Sequence, residues 1–137
     1  MTKLIQDLWI LEDSGIVLFH RVFDEIIDAN LFGGMMSALN SFAEVLTKSG
    51  LSNFEVSNKQ FSLLKDGNYL FIANASNKRK LKKLNQELEL IKNKFFETYH
   101  EELLNNWNGD TNLFDSFKQQ IEESFEGLIG KLEESFW

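Results

Sequence analysis

Cysteine and proline are both missing from the 137 residues. Without thiols the chain forms no disulfide, no thiolate metal site and no cysteine nucleophile, which fits a reducing cytosol. Without proline nothing contests a helix or a central strand. Histidine is scarce. His20 and His100 are the two, and neither has Asp, Glu or His neighbours at metal-ligand spacing. They read as a strand-face and a helix-surface residue. A Ser-His-Asp site would have to draw on one of them, and no Gly-x-Ser-x-Gly elbow accompanies either. The one glycine pair, Gly33-Gly34, lacks the Lys-Ser or Lys-Thr of a phosphate loop. It reads as close approach of a helix to the sheet. Adjacent acids at Glu101-Glu102, Glu122-Glu123 and Glu133-Glu134 diverge by about 100° on a helix and share no site. No apolar run approaches the ~18 residues of a membrane span. The start, Met1-Thr2-Lys3-Leu4, lacks a signal core, and Thr2 stands where myristoylation needs glycine. No enzyme, no metal, no cofactor and a cytoplasmic location are the expectations.

What remains is an ordinary soluble composition, with 43% hydrophobic and 26% charged residues. The length is that of one domain, 1–137, with a core over 1–104 and an acidic C-terminal helix over 110–137. The net charge of −7 is unevenly placed. Residues 1–100 carry 12 acids and 12 bases, whereas 101–137 carry 9 acids and 2 bases. Such a tail disfavours duplex nucleic acid or an anionic membrane as its target.

Residues 4–11 are apolar on both alternating faces, through Leu4, Leu8 and Ile10 on one and Ile5, Trp9 and Leu11 on the other. Such a strand belongs in the middle of a sheet. Asp13-Ser14-Gly15 turns the chain into a second strand, Ile16 to Phe23. Over 30–49 the period changes. Leu31, Met35, Leu39, Phe42 and Leu46 recur at helical spacing and read as the core stripe, with Asn30 as N-cap and Gly50 as the terminating glycine. Strands follow at 51–57, 60–65 and 68–74, the last two joined by Asp66-Gly67. The strand at 68–74 is again two-sided. Two helices close the chain. One carries Leu81, Leu84, Leu88, Ile91 and Phe95. The other, capped by Asp110 or Thr111, carries Phe114, Phe117, Ile121, Phe125, Leu128, Leu132 and Phe136.

The order is ββαβββαα, an α/β (α+β) chain. Placing the two-sided strands together gives a five-stranded antiparallel sheet of order 2-1-5-4-3, with helices on both faces. With Ile5-Gln6-Asp7-Leu8-Trp9-Ile10-Leu11, Ser14-Gly15-Ile16-Val17-Leu18-Phe19-His20, the helix Leu31–Ala43 and the hairpin Phe61–Phe71, the chain resembles longin-like (profilin-like) domains, in particular stand-alone archaeal ones. The resemblance covers about the first three-quarters of the chain, and nothing functional carries onto the acidic last helix. It implies function by binding. Longin-like domains pair with one another or act as platforms for small GTPases, in vesicle-trafficking and GTPase-regulation complexes. A small GTPase or a longin/roadblock-like subunit is the partner implied.

Two surfaces stand out. Lys78, Arg79, Lys80, Lys82 and Lys83 form a basic run at a helix start, where the macrodipole favours acids. A solvated face, an acidic or anionic partner, and the chain's own tail are its three readings. Nucleic-acid binding would want aromatics among these bases, and there are none. A small-molecule sensor would want a polar core position, and no residue identifies itself as one. The second surface is the edge formed by 51–57, where Asn53 and Glu55 lie, with Phe32, Met36 and Val45 of the first helix off its core stripe. Together these suggest a homodimer, or a heterodimer with a related subunit, through 31–57. A monomer with a short, self-protecting edge is the alternative.

Overall fold

The computed structural model describes residues 5–22, 28–47, 52–78, 80–100 and 111–117, with positions 104, 107, 119 and 121. Its elements are β1 (Asp7–Glu12), β2 (Val17–Arg21), α1 (Ala29–Thr47), β3 (Asn53–Val56), β4 (Lys59–Asp66), β5 (Tyr69–Ser76) and α2 (Leu81–Thr98). A 3-10 turn, Thr111–Phe114, begins the C-terminal segment. The five strands form one antiparallel sheet in the order β2-β1-β5-β4-β3.

Alternation decides what each face holds. Trp9 and Leu11 of β1, Leu70 and Ile72 of β5 and Leu63 of β4 point to one side, where they meet Phe32 and Met36 of α1. Leu8, Ile10, Phe71 and Ala73 point to the other, beneath Leu84, Leu88, Ile91 and Phe95 of α2. β1 and β5 are buried on both faces, as their two-sided apolar sequences require. Phe114, Phe117 and Ile121 of the C-terminal segment complete the second layer. Phe125, Leu128, Leu132 and Phe136 lie outside the described residues, as do Gly50 and Arg79.

Two features of α1 differ from the sequence reading. Its N-cap is Asp28, two residues earlier than Asn30, because Asp28 Oδ1 accepts from the Asn30 and Leu31 amides at 2.9 and 3.2 Å. Its inward face is also different. Met36 is 1% exposed and Phe32 is buried, whereas Leu31, Met35, Leu39, Phe42 and Leu46 are exposed. The stripe read as core therefore faces away from the sheet.

Gly33 fixes this rotation. A Cβ on Gly33 would stand 2.5 Å from the Gly15 carbonyl oxygen and 2.7 Å from Val17 Cγ2, both in or beside the β1–β2 turn. Gly15 itself has φ +102°, a conformation natural to glycine. Next door, Gly34 has open space where its Cβ would be. Only one of the pair, then, has the packing role expected of both. Gly33→Ala is expected to lose about 1–2 kcal/mol net, because overpacking against backbone outweighs the gain in helix propensity. Gly34→Ala is expected to gain up to about 1 kcal/mol from propensity alone. Urea titrations of the two variants check this, and equal effects would contradict the close approach.

Candidate protein-docking surface

Residues three and four apart share a helix face, at about 100° per residue. On α1 the packed face carries Phe32, Gly33, Met36, Asn40 and Glu44. The face centred about 130° away carries Leu31, Met35, Leu39, Phe42 and Leu46, with Val45 beyond it. The packed face thus holds two large apolar side chains and the outward face holds five. Phe42 is 63% exposed and Val45 83%. Monomeric surfaces seldom leave such a continuous apolar strip in water.

The charge pattern sharpens the contrast. Glu44 is the one charged residue between 29 and 47, and it is drawn towards the sheet. Lys65 Nζ donates to Glu44 Oε1 at 2.6 Å and Asn40 Nδ2 donates to the same oxygen at 2.8 Å. The Lys65 bond, then the Asn40 bond, hold the Glu44 carboxyl below its usual range. The Ser37 hydroxyl donates to the Asp13 carbonyl at the β1–β2 turn. Polar groups thus anchor α1 while its greasy side is left outward.

Beside α1 the sheet ends at β3. Asn53, Glu55 and Val56 are exposed, and Phe54 is half-buried. The Leu63 amide donates to the Ser52 carbonyl, and Asn53 lies opposite Ser62. Antiparallel alternation then turns the amides of Asn53 and Glu55 away from β4, towards the open edge. An aromatic ladder joins this edge to the core. Phe54 stacks on Phe61 at 4.6 Å, Phe61 lies 6.3 Å from Trp9, and Trp9 stacks on Phe32 at 4.1 Å.

Among solved structures, the chain superposes on Myxococcus xanthus MglB with a TM-score of 0.52 at 13% identity, over 68% of this chain and 84% of that one. A roadblock/LC7 domain from Streptomyces avermitilis gives 0.53 at 15% identity, over 63% of this chain and 78% of that one. In fold, this chain is similar to roadblock/LC7 domains. That is a longin-like architecture, in keeping with the sheet order and the helices described above. No family model matches the sequence, and no curated protein does.

Within this roadblock/LC7-like frame the residues singled out from sequence separate. Val45, Asn53 and Glu55 are on the surface, on or beside the open edge. Phe32 and Met36 are not; both are core residues of the α1 layer. Of the basic run, Lys78, Lys80 and Lys82 are exposed and Lys83 is half-buried. Lys80 is the N-cap of α2 and offers no side-chain cap. His20 and His100 are exposed. Among the described residues no group of three His, Cys, Asp or Glu side chains could hold a metal ion, and no helix is long and apolar enough to cross a membrane. The depression lined by Leu81, Lys82, Asn85, Gln86 and Glu89 is shallow and open.

Buried polar positions are what sequence reasoning missed. Asp7 and Asn74 face each other across β1 and β5. The Asp7 amide donates to Asn74 Oδ1, and Asn74 Nδ2 donates to Asp7 Oδ2, both at 3.0 Å. The pair ties β1 to β5 inside the sheet. Glu87 differs: it is buried, and neither carboxylate oxygen has a hydrogen-bond partner among the described residues.

Proposed function

We propose that this chain is a non-catalytic protein-interaction module whose docking surface is the outward face of α1 together with the β3 edge. The observation that carries the proposal is the inversion of α1, whose larger apolar face points away from its own sheet. A helix with one charge in 19 residues offers little to an anionic membrane or to nucleic acid, both of which reward bases. It suits another apolar helix. The outward amides of β3 suit another strand. A second longin/roadblock-like subunit supplies both at once, and a copy of this chain is the simplest such partner, because a two-fold axis matches each surface to itself. The longin-like architecture supports a further step, that the pair serves as a platform for a small GTPase.

Sedimentation over nanomolar to micromolar concentrations tests the first step. A monomer–dimer equilibrium is the expected result. A monomer throughout, with no related subunit co-purifying from the native cytosol, would refute the pairing. Recovery of nucleic acid alone would shift the reading to the exposed lysines at 78–83.

A further inference from the structure

The basic run at the start of α2 plays no part in the α1 docking surface. The fold gathers it at one end of the sheet. Lys59 opens β4 opposite Ser76, the last residue of β5. The Asn77 amide donates to the Asn58 carbonyl at 2.8 Å, and the Lys78 amide donates to Ser76 Oγ at 3.3 Å. The β3–β4 turn is thus stitched to the loop that leads into α2. Lys59, Lys78, Lys80 and Lys82 share this tip. Segments 56–60 and 75–86 together hold six bases and no acid.

The tip breaks two local rules. The first concerns charge. At the far end of the same strands, Lys65 meets Glu44 at 2.6 Å, and Lys92 meets Glu89 at 2.7 Å and Asp66 at 3.6 Å. Lys59, Lys78, Lys80 and Lys82 have no carboxylate partner among the described residues. They also lie where the α2 dipole adds positive charge, with no acid in its first turn and no side-chain cap from Lys80. The second concerns backbone. Ser57, in the β3–β4 turn, has φ +55°, a left-handed conformation in which a serine is strained. Departures from the locally preferred residue that coincide in space point to a surface kept for binding. We propose that this tip is a docking site for an acidic segment of a partner protein, with carboxylates set against Lys59, Lys78, Lys80 and Lys82.

Charge also decides the class of partner. The 8 bases elsewhere in the chain face all 21 of its acids. Fields reach about 10 Å at 0.1 M salt. A short carboxylate segment laid on the tip stays within that reach of the lysines. A duplex or a bilayer extends much further and meets the acidic remainder as well. No aromatic residue stands in 56–60 or 75–86 for a base to stack on. Among the described residues of the tip, Val56 is the one exposed apolar side chain, and a single valine anchors little in a bilayer. The tip is also separate from the α1 strip. α1 is fastened at the other end of the sheet, through Ser37 on the Asp13 carbonyl and Glu44 on Lys65.

Fluorescence anisotropy of a labelled octaglutamate peptide against the full-length chain tests this, beside a labelled DNA duplex and flotation with phosphatidylserine vesicles. The peptide is expected to bind saturably at about 50 mM salt and more weakly at about 300 mM. Lys78→Glu, Lys80→Glu and Lys82→Glu together should weaken it about 30-fold. That variant should keep or raise the urea midpoint, because acids at the start of α2 suit its dipole. It should also pair in sedimentation as the wild type does, so this site and the α1 surface can fail separately. Glutamine at the same three positions, which removes charge without reversing it, should cost less binding. Absence of saturable binding, or binding that the glutamate variant retains, would overturn the site. So would DNA or vesicles binding as tightly as the peptide, which would make the tip a general polyanion surface.

Discussion

Trp9→Ala is expected to cost about 3–5 kcal/mol, a large part of the 5–15 kcal/mol that a domain of this size typically has. Trp9 sits at the middle of β1, opposite His20 on one side and Ile72 on the other. Its ring is buried and stacks on Phe32 at 4.1 Å. Removing it leaves a cavity that neighbouring strands, held by their ladders, cannot close. It also removes the main partner of Phe32, one of only two large apolar side chains on the packed face of α1. Far-ultraviolet circular dichroism should therefore register weakened α1 as well as a lower urea midpoint. Phe71→Ala, on the other face, should cost a similar amount because Phe71 meets Phe95 at 5.5 Å beneath α2. A loss below about 1 kcal/mol for Trp9→Ala, at unchanged denaturant slope, would contradict the two-sided central strand.

The sheet was legible because strand signals here are local. Alternation marks one-sided strands, unbroken apolar runs mark β1 and β5, and Asp66-Gly67 and Ser14-Gly15 mark the hairpins. Hairpin connectivity then leaves little freedom in strand order. The rotation of α1 was not legible from apolar periodicity, because the helix has two apolar sides. Leu31, Met35, Leu39, Phe42 and Leu46 make the longer stripe, and a stripe that long normally faces a core. The glycine pair signalled a close approach somewhere, but Gly33 makes it and Gly34, which weakens the helix equally, has open space, so the pair alone did not say which face is packed. Glu87 gave no comparable signal. It sits among Asn85, Gln86 and Glu89, a polar stretch, and is buried all the same. Tertiary cover of that kind leaves no local trace.

That rotation also dictates how the docking surface must be tested. Met36→Glu is no probe of an interface, because a charge forced into a site 1% exposed would unfold the α1 layer. The informative pair is Phe42→Glu with Leu46→Glu, on the exposed stripe. In the monomer these changes place two carboxylates at i,i+4 in water, costing a few tenths of a kcal/mol. In a homodimer they remove four apolar side chains from the contact, two from each subunit, each contributing about 1.5–3 kcal/mol when fully buried. Association should weaken by about 10,000-fold or more, with the urea midpoint of the monomer nearly unchanged. Asn53→Pro probes the edge separately. The Asn53 amide points away from β4, so proline there blocks an added strand without removing a bond of the β3–β4 ladder. If the glutamates abolish pairing and the proline does not, the contact is helix on helix. If both do, the sheet continues from one subunit into the next. A dimer that survives all three substitutions, measured by sedimentation at micromolar concentration, would place its interface away from 31–57 and end the case for α1 as the docking helix.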